Sequence, residues 1–155
     1  MTKIEPLSID AVKHVAWRMR DSDRTEISAM MYKLAPDELA QHVVARCKHG
    51  FIVSKDEPIA VVAVNETWPG RYEVMMFATD KWLQVALSTT REIKNKLIPT
   101  MLKDGLKLGF CFVHAEHKSA WEWLQYLGFE EQCALPEWGR NGEEIGRASC
   151  RERVS

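Results

Sequence analysis

The chain has 155 residues, of which 46% are hydrophobic and 28% charged, and its formal net charge is -1. This length and composition are typical of one globular domain, and the near-zero charge argues against a nucleic-acid or anionic-membrane partner. No apolar run approaches the ~18 residues that a membrane span requires, and the opening MTKIEPLSID has none of the regions of a secretory signal. We therefore expect a protein of the cytoplasm.

The cysteines are far apart in the sequence and form neither a CxxC pair nor a close Cys/His group. Such spacing is typical of free thiols in a reducing compartment, and it does not predict a metal site. The four are Cys47, Cys111, Cys133 and Cys150.

Three helices follow a short N-terminal strand in the predicted order of elements. The segment KIEPLS has the pattern of an edge strand. In IDAVKHVAWRMR the apolar residues recur at helical spacing, and Ser8 or Asp10 is available near the helix N-terminus. DSDRTEISAMMYKL predicts a second helix with Ser22 or Asp23 as its cap, and APDELAQHVVARCKHG predicts a third that ends at Gly50.

Beyond this glycine the hydrophobic period changes from that of helices to that of strands. FIVSK and IAVVAVNETW predict two antiparallel strands, and RYEVMMFAT predicts the next one. A helix follows in STTREIKNKLIPTMLKDG, where Pro99 predicts a kink or division near Leu97. LKLGFCFVHAE predicts an interior strand, HKSAWEWLQYLGFEE a helix that ends at Gly128, and FEEQCAL a further strand. This order predicts a mixed α/β (α+β) fold.

Residues 145–155, IGRASCRERVS, differ in character from the rest of the chain. They contain three arginines and a cysteine with neither the helical nor the strand period, and all but the last residue resemble one reading frame of a common sequencing-library adapter. We therefore expect residues 1–144 to form a single domain and 145–155 to be a non-native tail; a real basic tail is the alternative. Asn141-Gly142 is a pair that type I′ hairpin turns prefer, so the return strand of that hairpin would be truncated.

The element order and the segment HKSAWEWLQYLGFEE resemble the Gcn5-related N-acetyltransferases, the GNAT superfamily. The late helix of that family carries an Asn, an Ala three residues later, an aromatic residue and a Gly-Phe step. The matching positions here are His117, Ala120, Leu124, Gly128 and Phe129. The segment RMRDSDRTEI, a tryptophan after the central strand and a Gly-containing hairpin after LGF are similar to small GNAT-like proteins of tailed phages, including the T7-type internal virion protein A group.

The resemblance implies a GNAT-like, mostly antiparallel sheet with helices on both faces, whose central strands splay apart to admit acetyl-CoA. The pyrophosphate of such a cofactor lies on backbone N–H groups at the N-terminus of the long helix, where the helix dipole favours an anion. The positions that the resemblance assigns to cofactor binding are Phe77, Ala78, Gln84, Ser88, Thr89, Thr90, His117 and Trp121.

The loop before the long helix departs from the family pattern, Gln/Arg-x-x-Gly-x-Gly/Ala. No glycine lies between Gly70 and Gly105, and Leu87 and Thr89 stand where glycines would let backbone approach a phosphate. Gln84 matches the first position of the family pattern. The segment STT at the start of the helix can offer hydroxyl and N–H groups to a phosphate; the alternative is that it only caps the helix.

The general base would come from Glu66, Glu73, His114 or Glu116, and the sequence favours two of these. Glu73 lies in the central strand, where burial can raise the pKa of a carboxyl group toward working pH, although a strand glutamate is also typical of a solvated face. His114 ends the strand before the late helix, and its alternative role is a hydrogen bond to the backbone. The family's acid, a tyrosine, corresponds to Leu124, which cannot donate a proton, and Tyr126 lies on roughly the opposite face of the helix.

Two functions from different classes are compatible with these residues. The missing glycines and the leucine at the acid position favour a weakly catalytic or non-catalytic homologue from a phage or prophage. Its partners would be phage virion proteins, and its place the cytoplasm of the bacterial host or the virion. The alternative is an active acetyl-CoA-dependent N-acetyltransferase that moves an acetyl group to an amine.

Overall fold

The structure is a computed structural model that describes residues 1–30 and 35–151, with the backbone alone at residue 30. Its strands are β1 Lys3–Glu5, β2 His49–Lys55, β3 Glu57–Trp68, β4 Arg71–Ala78, β5 Leu108–His114, β6 Glu130–Leu135 and β7 Ile145–Arg151. Its helices are α1 Ile9–Trp17, α2 Asp21–Met30, α3 Pro36–Arg46, α4 Ala86–Glu92, α5 Ile98–Lys103 and α6 Lys118–Tyr126. A 3-10 turn at Trp82–Gln84 precedes α4, and a π-helical segment at Ile93–Leu97 joins α4 to α5.

The strands form one sheet with the order β1-β2-β3-β4-β5-β7-β6. Every neighbouring pair is antiparallel except β4 and β5, which run parallel. Residues 59–64 of β3 are fully buried, as expected for an apolar run that is covered on both faces. Val62 and Val64 belong to a core with α4–α6, whereas Val61 and Ala63 belong to a second core with α1 and α3. The predicted mixed, mostly antiparallel sheet with helices on both faces is confirmed.

Pro99 divides the long helix, as predicted. The π-helical segment ends directly before α5, and Pro99 occupies the first turn of α5. Proline has no N–H to donate to the carbonyl four residues earlier, and its ring crowds that carbonyl, so the helix widens at this point. Both buried side chains of the segment, Ile93 and Leu97, belong to the core with α6.

The second helix begins at Asp21 and is described as far as Met30. The last residues predicted for it, 31–34, lie outside the described residues. No helix in the described part of the chain is long and apolar enough to cross a membrane.

The expectation that the hairpin after Asn141-Gly142 has no return strand is wrong. Residues Ile145–Arg151 form β7, which pairs with β5 on one side and with β6 on the other. Ile145 and Ala148 of β7 are fully buried. A strand between two others in a sheet covered on both faces is buried even when it lies near the end of the chain. The adapter-like origin of residues 145–155 stays a prediction, and residues 152–155 lie outside the described residues.

Candidate functional site

The parallel strands β4 and β5 are paired at one end only. Their register covers Arg71–Glu73 against Leu108–Phe110 and stops there. Beyond this closed end the two strands diverge, and a cavity of about 1000 Å³ occupies the opening between them. The predicted splay of the central strands is therefore confirmed.

The edge of β4 that faces the opening carries backbone groups without a strand partner. Ala78 marks this edge, because its N–H donates to Asp23 Oδ2 (2.8 Å) and its carbonyl accepts from the Arg20 N–H (2.8 Å). Backbone groups alternate along a strand, so the N–H and carbonyl of Met76 lie on the same edge. The β4–β5 register ends before Met76, which leaves these two groups available to an extended ligand.

Glu73 lies at the closed end of the opening and lines the cavity. Its side chain is on the α1–α3 face of the sheet, directly across from Asn65 of β3. Burial raises the pKa of the Glu73 carboxyl above its ordinary value, and the positive charge of Arg147 only partly opposes that shift. Among the described residues Glu73 makes no side-chain hydrogen bond, so its carboxyl group can accept a proton from a ligand.

Helix α2 brings a second carboxylate to the other end of the opening. Asp23 is 4% exposed and accepts two hydrogen bonds from the Arg20 guanidinium, at 2.8 and 2.9 Å. Burial raises the pKa of Asp23 even though Arg20 and the Ala78 N–H lower it. All of its bonds are internal, so Asp23 acts as a structural clamp between α2 and the end of β4.

His117 forms an ion pair with Glu26 across the opening. Its Nδ1 lies 3.0 Å from Glu26 Oε2, and the same oxygen accepts the backbone N–H of His114 at 3.3 Å. The Glu26 carboxylate raises the pKa of His117, and burial opposes that effect. His117 is a predicted cofactor position, and the structure places it on the wall of the cavity.

The pair predicts a pH-dependent effect of Glu26→Gln. We expect this change to lower the pKa of His117 toward the ordinary histidine value of 6.5, measured by an NMR titration of the imidazole. A raised histidine pKa stabilises the fold below pH ~6.5, and this contribution is lost as the pH rises through the raised value. The pKa of His42, which burial lowers, is the internal control. An unchanged titration of His117 in the variant would contradict the ion pair.

The second base candidate, His114, is not among the residues that line the opening. Its Nδ1 accepts the backbone N–H of Glu116 at 3.2 Å. The alternative role, a hydrogen bond to the backbone, is thus the one that the structure describes.

The start of α4 presents backbone groups rather than hydroxyl groups. The first helical hydrogen bond runs from the Thr89 N–H to the Val85 carbonyl (2.9 Å), so the N–H groups of Ala86, Leu87 and Ser88 precede the helical ladder. Thr89 and Thr90 are buried.

The hydroxyls of Thr89 and Thr90 donate to the carbonyls of Val85 and Ala86, in each case four residues earlier. These two hydroxyls are therefore directed into the helix, whereas Ser88 is half-buried at its end and Gln84 is exposed before it.

Of the eight positions assigned to cofactor binding, only Thr90 and His117 line the cavity; besides Gln84, Ser88 and Thr89, three more lie away from its wall. Phe77 is fully buried in the core with α1 and α3, and Ala78 is bonded to α2 as described above. Trp121 packs on β7, where a Cβ added to Gly146 would come within 2.2 Å of its indole ring. Side chains two residues apart on a helix face different directions, so Trp123 rather than Trp121 faces the opening.

The wall formed by α6 is apolar. Leu124 is 7% exposed in the core, whereas Tyr126 is 65% exposed with the Lys94 ammonium 4.3 Å from its ring centre. Trp123 donates from Nε1 to the Thr90 hydroxyl (2.9 Å) and stands edge-on to Trp82. Position 124 therefore offers no proton donor, and Tyr126 lies on the exposed rim of the cavity.

Sequence reasoning did not identify Arg20, Asp23 and Glu26 as site residues. They belong to RMRDSDRTEI, whose similarity to phage proteins was noted without any role. Their contacts at Ala78 and His117 are 55 and 91 residues away along the chain, and no local pattern could have indicated them. In the described part of the chain no three His, Cys, Asp or Glu side chains are grouped as metal ligands.

Comparison with solved structures gives many chains of the same fold. The ribosomal-protein-S18-alanine N-acetyltransferase from Escherichia coli matches with a TM-score of 0.73 at 16% identity, over 100% of this chain and 96% of that one. yncA from Salmonella typhimurium, whose structure holds its cofactor acetyl-CoA, matches with a TM-score of 0.74 at 9% identity, over 99% and 96%. An acetyltransferase assigned to the GNAT family from Desulfovibrio desulfuricans matches with a TM-score of 0.69 at 12% identity, over 97% and 99%.

No family model and no curated protein sequence matches the chain. Because these identities are all low, the likeness concerns the backbone fold and carries no residue roles. The chain has the fold of the GNAT acetyltransferases.

Proposed function

We propose that this protein binds acetyl-CoA or a related acyl-CoA between β4 and β5 and transfers the acyl group to an amine. The observation that most directly supports the proposal is the position of Glu73. It is the one residue of the β4–β5 register that has a carboxyl group in the cavity, and it stands where the strands separate.

The residues present fit an acyl-CoA. The unpaired edge of β4 at Met76 can bond to an extended pantetheine chain in the manner of a strand. The N–H groups that precede the α4 ladder, at Ala86, Leu87 and Ser88, can receive the pyrophosphate, since a helix N-terminus favours an anion. The acyl-CoA supplies an activated thioester.

The two faces of the sheet give the two substrates separate approaches. The acceptor amine reaches the thioester from the α1–α3 face, where Glu73 lies. As the nitrogen–carbon bond forms and the carbon–sulfur bond breaks, Glu73 takes the amine proton, directly or through water. Leu124 cannot protonate the sulfur, so CoA leaves as a thiolate and takes its proton from solvent; a thiolate of pKa ~8.5 needs little help.

Titration calorimetry with acetyl-CoA tests the proposal. We expect a micromolar dissociation constant, and a value about tenfold weaker in Ser88→Glu, because the added carboxylate would repel the pyrophosphate. An acidic residue in the first turn also stabilises a helix, so the variant should stay folded. Asn95→Glu, at an exposed position two turns further along, is the matched control. Absence of heat at millimolar concentrations of both acetyl-CoA and longer acyl-CoAs would overturn the proposal.

A second candidate is a non-catalytic virion or assembly protein from a phage. One observation favours it beyond the missing acid: the rim of the opening carries large exposed apolar side chains, which often mark a contact with another protein. They are Leu83, Leu87, Tyr126 and Trp138, 60–87% exposed. This candidate requires no acetyl-CoA binding, so the same titration separates the two.

A further inference from the structure

Exposed apolar and basic side chains follow one another along the outer side of the long helix that begins with α4. Leu83, in the turn before the helix, and Leu87 are 87% and 63% exposed and lie on the rim of the cavity. Arg91 and Lys94 follow at spacings of four and three residues and are also exposed, so they continue the same side of the helix. The Lys94 ammonium lies 4.3 Å from the ring centre of Tyr126 on α6. We call these five residues the outer patch.

The outer patch belongs to a basic segment of a chain that is nearly neutral. Residues 81–103 contain five basic side chains, all exposed, and one acidic side chain, so this segment has a net charge of +4 while the whole chain has -1. Two of the five form ion pairs with neighbouring carboxylates. Arg91 and Lys94 form no ion pair with any described residue, so their charges are available to a partner.

The described wall of the cavity, in contrast, offers no unpaired positive charge to a nucleotide. Arg20, His42 and His117 are the only described lining residues that can be cationic. Arg20 is bonded to Asp23 and His117 to Glu26, and burial lowers the pKa of His42. CoA carries a 3′-phosphate monoester, with a charge of about -1.5 to -2, in addition to its pyrophosphate. A phosphopantetheine arm attached to a protein carries a single phosphodiester, so its phosphate end needs less positive charge.

An extended arm of this kind reaches from the closed end of the opening to its rim. Glu73, at the closed end, and Ala78 lie roughly 16 Å apart along β4, since a strand rises about 3.3 Å per residue. The chain between the sulfur and the phosphate of phosphopantetheine is about as long as four residues of extended backbone, roughly 14 Å. With the thioester beside Glu73, the phosphate therefore lies near the open end of β4, and the group attached to it lies outside the cavity.

The outer patch has the composition of a protein interface. The large side chains of Leu83, Leu87 and Tyr126 lie beside two cations, and protein interfaces combine aromatic and arginine side chains with an apolar centre. The patch adjoins the rim at which the arm leaves the cavity, so a protein that holds the arm would contact it. The two cations favour an acidic partner, because complementary charge guides association.

We propose that the outer patch docks an acidic acyl carrier protein, whose 4′-phosphopantetheine arm presents the acyl group in the opening between β4 and β5. This inference rests on the proposed function, because it identifies the form in which the same site receives its thioester; free acyl-CoA is then the weaker donor. The amine nitrogen bonds to the acyl carbon as the carbon–sulfur bond breaks, and Glu73 takes the amine proton. The sulfur takes a proton from solvent, so the carrier leaves with a free thiol.

Titration calorimetry compares acetyl-CoA with a bacterial fatty-acid acyl carrier protein whose arm bears the same acetyl group. We expect the acetylated carrier to bind at least about tenfold more tightly than acetyl-CoA, because it adds the contacts of the outer patch. That advantage should decrease as the salt concentration rises, since exposed charges are screened. The same carrier without its arm should bind at least about tenfold more weakly than the acetylated form, because nothing enters the opening.

Reversing the two cations should remove the preference for the carrier. In Arg91→Glu/Lys94→Glu the acetylated carrier should bind no better than acetyl-CoA, while acetyl-CoA itself binds within about twofold of its affinity for the unchanged protein. Lys3→Glu/Lys55→Glu makes the same change in charge at exposed positions on β1 and β2, outside the cavity wall, and should keep the preference. All four positions are exposed, so both variants should stay folded.

The outcomes separate the two claims. Clear binding of acetyl-CoA with equal or weaker binding of the acetylated carrier would overturn the carrier and leave the proposed function intact. A preference for the carrier that survives in Arg91→Glu/Lys94→Glu would also overturn it. So would an equal loss of acetyl-CoA binding in that variant, because the cations would then serve the nucleotide of CoA. Failure of acetyl-CoA, longer acyl-CoAs and the acetylated carrier to bind would overturn the proposed function itself.

Discussion

Glu73→Gln is expected to lower kcat for acyl transfer by about 10²- to 10⁴-fold, the usual contribution of a general base. The amide keeps the size of the side chain but cannot take a proton from the amine. Binding of the acyl-CoA should stay within about twofold, because Glu73 lies on the face of the sheet opposite the apolar wall. The measurement is CoA thiol release with a panel of primary amines, beside calorimetric binding of the donor.

The dependence of activity on pH tests the same role of Glu73. Burial raises the pKa of Glu73 above its ordinary value of 4.5, and a base acts only when deprotonated. Activity should therefore rise with pH through an apparent pKa above 4.5, and Glu73→Gln should remove that limb. Glu116→Gln, at an exposed position after β5, serves as the control and should keep the profile. A Glu73→Gln protein with full activity and the same profile would exclude Glu73 as the base.

Deleting residues 145–155 is expected to abolish cooperative folding. β7 is the partner of both β5 and β6, so the deletion would leave β6 without a neighbouring strand and expose the edge of β5. It would also remove the buried side chains of Ile145 and Ala148, and burial of one isoleucine alone contributes about 1.5–3 kcal/mol. A domain of this kind has only about 5–15 kcal/mol of total stability.

Circular dichroism with thermal and urea denaturation measures this effect. A chain that ends after Arg151 is the matched control, because it keeps all of β7 and removes only residues 152–155. We expect the control to unfold in one transition and the shorter chain to show none. A cooperative transition of similar midpoint in the shorter chain would show that the sheet does not need this strand.

Much of the fold could be predicted because its signals are local. The apolar run of β3 indicated a strand, and Pro99 indicated the division of the long helix, since proline lacks an N–H wherever it occurs. The segment 145–151 could not be predicted in this way. Its arginines and glycine gave no period, and it is a strand because β5 and β6 offer unpaired backbone groups on both sides of it.

The residues of the candidate site could likewise be predicted only in part. Glu73 could be proposed as the base from its place in the central strand, and the absence of a proton donor at Leu124 could be predicted from helical geometry. The choice between Trp121 and Trp123 could not, because both are apolar and two residues apart. Only the packing of Trp121 over Gly146 settles which one faces the cavity.

By itself the sequence determined the order of strands and helices as far as β6, the absence of loop glycines before α4 and the leucine at position 124, because these depend on residue type and short-range spacing. The tertiary structure decided the rest. Arg20, Asp23 and Glu26 reach the opening only when α2 packs against the ends of β4 and β5. Such contacts join residues far apart in the chain, and their partners are selected by burial and hydrogen bonding in the folded state, which no local pattern records.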